Sequence, residues 1–328
     1  MQPFELLRPA TVQEAVEHLV RYPGAMVVAG ATGLVDLMKL EVETPDRLLD
    51  IGRLPLDGIE DHGHGLRLGA LASNSDVARH PAVRAEFPVL SQALLAGASP
   101  QLRNAATVGG NLMQRTRCTY FRDRAFACNK RTPGSGCSAQ HGPHRMHAVL
   151  GVSEQCMATH PSDMCVALLA LDAEVEVTGP HGRREIPLAH FHCLPGDTPH
   201  IETVLARGEI VTAVIVPRTP LAARSAYLKV RDRASYEFAL VSVAVAMELR
   251  GDRTIDAIRI ALGGVGTRPW RAEATEALLV GHAATPDNFR ASVGASLQAA
   301  HPRRDNAFKV ELVQRAMVRA LETVGGLP

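Results

Sequence analysis

The hydrophobic pattern of the first sixty residues switches between two periods. In "TVQEAVEHLVRY", Val12, Ala15, Val16, Leu19 and Val20 share one face at helical spacing, with Thr11 and Glu14 in capping-box order. The short apolar run "GAMVVAG" predicts a buried strand, "LVDLMKLE" a helix and "DRLLDIG" a second strand. "HGLRLGALASNSDVARHP" reads as a strand and a short helix capped by Asn74 or Ser75. "FPVLSQALLAGAS" is helical to about Gly97, and the Gly-Gly of "QLRNAATVGGNL" marks a tight backbone feature. "HPSDMCVALLALDA" predicts a helix with Pro161 in its first turn, where a missing N–H does no harm. "AEVEVTGPHGRREIPL" predicts a hairpin turning at Gly-Pro-His-Gly.

From about residue 210 the order changes. "IVTAVIVP", "SAYLKVRDR", "FALVSVAVAMEL" and "DAIRIALGGV" read as strands, while "PDNFRASVGASLQAA" and "AFKVELVQRAMVRALETV" read as helices. Strands first and helices after is an α+β signature. The expected organisation is a first domain over 1–205, in parts of about 1–55 and 56–205, and a C-terminal domain over 206–328. The loop-rich "PGDTPHIETVLARGE" joins them.

A length of 328 residues suits this division, and 46% hydrophobic residues supply the cores. With 35 basic and 34 acidic residues, the near-neutral chain is not expected to bind nucleic acid or a membrane surface. "FALVSVAVAM" is too short to span a bilayer. "MQPFELLRPA" has no apolar stretch after a basic start, so no signal peptide is expected. The expected compartment is the cytoplasm, or the periplasm by co-export with a signal-bearing partner.

Two loops carry candidate binding chemistry. "VVAGATG" places small residues between a strand and a helix, where successive N–H groups and the helix dipole suit a phosphate. It matches neither G-x-G-x-x-G nor a P-loop, and a plain turn explains it equally well. "ATVGGNL" is a second such loop, flanked by Thr107 and Asn111. Followed by "PSD", with Asp163 at a helix start, the two loops together suit one extended dinucleotide.

Four of the six cysteines crowd into 39 residues as Cys118-x9-Cys128-x8-Cys137-x18-Cys156. The close knuckles of structural zinc are missing, and disulfides belong to oxidising compartments. Four soft thiolates converging from irregular loops suit an iron–sulfur cluster, but spacing alone leaves zinc, disulfides and free thiols open. Arg115, Arg117, Arg122, Arg124, Lys130 and Arg131 face Asp123 alone in this stretch. Such a surplus favours a bound anion, a solvated face or a docking patch. Cys165 reads as a core residue, and His141, His144 and His147 as polar loop residues.

In their order, "VVAGATGLVDLMK", "QLRNAATVGGNL", "THPSDM" and "RIALGGVGTRPWR" resemble the FAD-binding subunits of molybdenum hydroxylases, across nearly the whole chain. The cysteine stretch, with "RTRC", "CNKR", "PGSGC" and "VRDRASY", is similar to the insertion in FAD subunits of bacterial periplasmic aldehyde oxidoreductases. The resemblance implies an α+β protein. A two-part FAD-binding domain of vanillyl-alcohol-oxidase type precedes a smaller C-terminal domain of the CO dehydrogenase flavoprotein type. The resemblance also implies a [4Fe–4S] cluster on Cys118, Cys128, Cys137 and Cys156, in an insertion at about 115–157. It assigns FAD contacts to Val28, Ala29, Gly30, Ala31, Thr32, Gly33 and Leu34, to Thr107, Gly110 and Asn111, and to Asp163 and Lys229. The chain departs from the common "AGGT" form at Ala31, which fits only with a negative φ, and at Gly33, which leaves backbone contacts alone.

The function so implied is electron transfer in an aldehyde oxidoreductase, with no catalytic residue on this chain. The expected partners are a large subunit with the molybdenum cofactor and a small subunit with [2Fe–2S] clusters, in a heterotrimer. A ferredoxin-like acceptor would dock on the basic loop. An aromatic acyl-CoA reductase subunit, similar to that of 4-hydroxybenzoyl-CoA reductase, would run the electrons the other way. A zinc-stabilised assembly module with a degenerate flavin pocket is the reading from another class.

Overall fold

The computed structural model describes residues 1–327. Three sheets organise the chain. The first is parallel, with β1 (Glu5–Leu7) and β2 (Met26–Val28) flanking β3 (Arg47–Asp50). The helix Val12–Arg21 buries Ala15 and Val16 against Leu49, Ile51 and Leu54. Thr11 Oγ1 accepts the Glu14 N–H at 3.1 Å, while Glu14 Oε2 accepts the N–H of Ala10 at 2.7 Å. These two bonds fix the helix entrance, as the capping-box spacing predicts.

The second sheet is antiparallel. Its order is β4 (Ile59–His62), β5 (Gly65–Gly69), β8 (Ile210–Pro217), β6 (Glu174–Gly179), β7 (Gly182–Pro187). The position of β8 differs from the sequence expectation, which gives "IVTAVIVP" to the C-terminal domain. It pairs instead between β5 and β6, with Ile210 to Val216 all buried. A continuous apolar run marks a central strand but carries no information about which sheet it joins. The first domain therefore extends through Pro217.

The third sheet, also antiparallel, has the order β12 (Trp270–Arg271), β11 (Ile255–Gly263), β10 (Val241–Leu249), β9 (Ser225–Val230). The long helix Phe308–Gly325 buries Val313, Met317 and Leu321 against it and stops at Gly326, whose φ of 67° is the left-handed cap. The sheet's other face presents the small Ala244 and Ala261 to the helix Asp163–Ala170, so the core runs on from the first domain.

Two caps shift by a residue. Ser73, not Asn74 or Ser75, accepts the Asp76 N–H at 3.0 Å. Ser162 caps the helix Asp163–Ala170, which leaves Pro161 just outside its first turn. The Gly-Gly of "TVGGNL" is helical, within Val108–Leu112. Among the described residues no helix is long and apolar enough to cross a membrane.

Candidate functional site

A cleft of about 790 Å³ opens between the loop after β2, the helix Val108–Leu112 and residues 158–161. Ala29 to Leu34 line one wall, and Thr107, Gly109 and Gly110 the other. Gly30 makes the approach possible, because a Cβ there would collide with the carbonyl of Ala105. Ala31 has a φ of 58°, against the sequence expectation of a negative angle. The loop holds an alanine in the left-handed region, at a cost of roughly 1–2 kcal/mol. Gly33 has a φ of −116° and open space where its Cβ would be, so neither strain nor packing requires glycine there.

The remaining residues predicted for this wall have other places. Val28 is buried beneath the loop with Met38 and Leu48. Asn111 does not line the cleft. Its Oδ1 accepts from Ser162 Oγ at 2.7 Å, which ties the helix Val108–Leu112 to the cap of the helix Asp163–Ala170. The Thr107 hydroxyl accepts the Gly110 N–H at 3.1 Å.

A second chamber of about 350 Å³ continues the first, and Arg117, Thr159, His160 and Pro161 line both. Asp163 faces it with both carboxylate oxygens engaged: Lys229 Nζ donates at 2.7 Å and the Tyr227 hydroxyl at 2.5 Å. Lys229 thus stands behind Asp163 rather than on the cavity wall. Burial, reinforced by the Asp163 charge, pushes the Tyr227 hydroxyl well above its ordinary value, so it acts as a donor. Tyr227 is absent from the sequence expectation, although its i, i+2 relation to Lys229 in a strand puts both on one face.

His160 stands at the waist between the chambers. Burial, with His192 beside it, pushes it well below its usual value, so the ring is neutral. Its Nδ1 accepts the Ser162 N–H at 3.4 Å, which leaves a proton on Nε2 with no partner. An unused buried donor at a waist joining two chambers, above a loop where a Cβ would not fit, suits a dinucleotide.

The cysteine segment roofs the smaller chamber, to which Cys118 and Thr119 contribute wall. Cys128 and Cys156 are buried, Cys118 and Cys137 half-buried, and all four are free thiols. Cys128 and Cys137 face each other across an antiparallel bridge, and Cys156 ends a tight turn from Ser153. Asn129 locks the two turns together, donating to the carbonyl and side chain of Gln155 and accepting the Gly136 N–H. Burial pushes the Cys118 thiol up to about 12 and Cys156 to about 11, and it also raises Cys137. The opposing influences are the backbone N–H groups of Tyr120 and Phe121 at Cys118 and of Ala139, Gln140 and Met157 at Cys137, and, at Cys156, the Lys130 charge first and the Ala158 N–H second. Each of these three thiols also feels the charge of other cysteines of the segment, so the four lie in one neighbourhood. Four soft donors, two buried and two half-buried, with backbone N–H groups beside three of them, fit a metal that deprotonates them and suit a thiolate-held cluster.

The basic residues around them are mostly spent inside the protein. Arg115 binds Glu43 and Glu202, Arg122 binds Asp36 at 2.5 Å, Arg124 binds Glu41 at 2.7 Å, and Lys130 binds Glu202 at 2.8 Å. Burial raises the Glu202 carboxyl, but Lys130 and Arg115 outweigh it and hold the group below its ordinary value. Arg131 donates to the carbonyls of Tyr120, Phe121, Asp123 and Phe126.

A two-part α+β domain with a glycine-lined, two-chambered cleft, followed by an α+β domain, defines a flavoprotein of the dinucleotide-binding class. Residues 2–219 match the family of the FAD binding domain in molybdopterin dehydrogenase, and residues 225–324 that of the CO dehydrogenase flavoprotein C-terminal domain. The chain belongs to the FAD-binding medium subunits of the molybdenum hydroxylases. The two matched segments meet between β8 and β9, where the structure divides. The chain is 53% identical to the aldehyde oxidoreductase FAD-binding subunit PaoB of Escherichia coli (strain K12), over 98% of both. It is 29% identical to the carbon monoxide dehydrogenase medium chain of Hydrogenophaga pseudoflava, over 97% of this chain and 96% of that one. A solved structure of carbon monoxide dehydrogenase from the same organism, lacking the Mo-pyranopterin moiety of its cofactor, matches with a TM-score of 0.77. That match covers 99% of this chain and 98% of the other.

Proposed function

We propose that this chain is the electron-transfer subunit of a molybdenum-dependent aldehyde oxidoreductase. It holds FAD in the two-chambered cleft and a [4Fe–4S] cluster on Cys118, Cys128, Cys137 and Cys156. The observation that carries this reading is the grouping of four buried or half-buried thiols, three of them beside backbone N–H donors, in a segment whose Cys118 lines the smaller chamber. The aldehyde side of the reading rests on the relation to the Escherichia coli subunit. Aldehyde oxidation belongs to a large molybdenum-cofactor subunit, with [2Fe–2S] centres on a small one.

When bound, FAD supplies the conversion between single electrons and electron pairs. The chain's own residues bind and orient it. The backbone from Ala29 to Leu34 closes on the pyrophosphate, with Thr107 and Gly110 opposite. The His160 Nε2–H donates at the waist. Asp163, held by Lys229 and Tyr227, presents a fixed carboxylate to the isoalloxazine chamber. Tyr120 and Phe121, both buried, keep water from the thiols behind that chamber.

Iron, acid-labile sulfide, zinc and FAD per chain, measured on the purified complex and on Cys128→Ser and Cys137→Ser variants, test the reading. Each variant should lose about four irons and keep its FAD. Zinc in place of iron, or iron unchanged in both variants, would sink the cluster assignment. Aldehyde should bleach the flavin of the assembled enzyme, and failure to do so would remove the oxidoreductase assignment instead.

A further inference from the structure

Four charged side chains line the smaller chamber: Arg117, Arg145, Asp163 and Glu237. Three are matched by a neighbour. Arg145 binds Asp232 through two bonds of 2.7 and 2.9 Å, Lys229 binds Asp163 at 2.7 Å, and Arg233 lies 3.3 Å from Glu237. Arg117 alone forms no ion pair among the described residues. It donates to the carbonyl of Arg115, and its guanidinium lies over the Phe238 ring, 5.4 Å from the centroid. Burial is the largest influence on it and pulls it below its ordinary value. A half-buried guanidinium with no carboxylate bonded to it, whose nearest acidic influence, Asp36, is already paired with Arg122, carries a standing cost that an anion from a ligand would offset.

Two anions come with FAD. The pyrophosphate carries its charge in both redox states, and the glycine walls that suit it lie in the larger chamber. The oxidised isoalloxazine is neutral, and uptake of two electrons and one proton leaves it with one negative charge. Arg117 lines both chambers, but its guanidinium lies over Phe238, which lines the smaller one alone, and there every other charge is cancelled.

We propose that Arg117 is the counter-charge of the reduced flavin. The segment that brings Cys118 to the flavin chamber thereby also sets how readily the flavin is reduced. This rests on the placement of FAD described above and not on the cluster. An arginine adjacent in sequence to Cys118 makes one short backbone segment responsible for both.

The test uses the full chain with bound FAD, titrated with dithionite against a redox dye of known potential. Arg117→Gln should lower the ratio of reduced to oxidised flavin at fixed potential by about tenfold, less than truncating a fully buried charge pair costs because Arg117 is half-buried. For a two-electron couple that is about 30 mV. Arg117→Lys, which keeps the charge, should remain within about threefold of the native ratio. FAD content and the affinity for oxidised FAD should be unchanged in both. Equal ratios in all three proteins overturn the inference, as does a fall in Arg117→Lys as large as in Arg117→Gln. Loss of oxidised FAD from Arg117→Gln also overturns it, because the charge then serves the pyrophosphate. Iron content is read separately, so failure of the cluster assignment leaves this result standing.

Discussion

Replacing Asp163 by Asn asks whether the smaller chamber stands on a buried ion pair. The Lys229 and Asp163 side chains are 4% and 10% exposed, with Nζ 2.7 Å from Oδ2. At an effective dielectric of about 20, charges that close attract by roughly 6 kcal/mol, most of it offset by desolvating both ions. The amide returns none of that charge. Its one acceptor oxygen serves either Tyr227 or Lys229 while its NH2 faces the other donor; with the oxygen at Tyr227, Lys229 keeps only the Ala96 carbonyl at 3.2 Å, an acceptor it already shares with Arg231. Removing one partner of a buried pair costs about 3–5 kcal/mol. For a domain of this size we expect a fall in melting temperature on the order of 10 °C. Scanning calorimetry of the apo and FAD-loaded chain separates this from any change in cofactor affinity. The companion variant Asp163→Asn/Lys229→Met removes both charges and should recover most of the loss in the apo protein. A single variant that loses under about 1 kcal/mol, or a double variant no better than the single, refutes the reasoning.

Gly30→Ala forces a methyl group against the Ala105 carbonyl, so the two walls of the cleft must part. We expect about 1–3 kcal/mol of lost stability and a chain purified without yellow colour; full FAD occupancy refutes the close-approach argument. Lys309, fully buried, donates to the Gly264 carbonyl at 2.7 Å, and burial pushes its amine from 10.5 to about 7. Between those values the unfolded chain binds more protons than the folded one, so stability rises with pH by up to about 1.4 kcal/mol per unit. Measured by urea midpoint at pH 7.5 and 9.5, the native chain should gain on Lys309→Met across the interval, and a constant difference counts against the assignment.

Elements with a local cause were legible in the sequence. The helix Val12–Arg21 and its cap, the hairpin β6–β7 and the long C-terminal helix all follow from spacing within a few residues. The family and its FAD domain were legible through the order of four short motifs. The placement of β8 was not, because its partners lie over 30 residues before it and over 140 from the far side of the sheet. The conformation of Ala31 was also hidden, because the tight junction of the two loops imposes a left-handed residue that propensity alone would not choose. Asn111 and Lys229 illustrate a third limit. Motif position brought both to the site, but only the packing shows that each acts through a neighbour, Ser162 and Asp163.

The basic surplus of the cysteine segment shows what local charge counting leaves out. Within residues 115–131 one aspartate stands against six cations, which suits a docking patch as well as a buried anion. The neutralising carboxylates come from elsewhere: Asp36 from the helix that follows the glycine loop, Glu41 and Glu43 just beyond it, and Glu202. Arg122 and Arg124 therefore staple the thiol pocket to the element that carries the proposed pyrophosphate loop, and moving one moves the other. Exposed pairs of this kind contribute little stability, so their value here lies in register. Once these pairs and the carbonyl-bound Arg131 are accounted for, the surplus reduces to Arg117, on the wall of the smaller chamber beside the first cysteine.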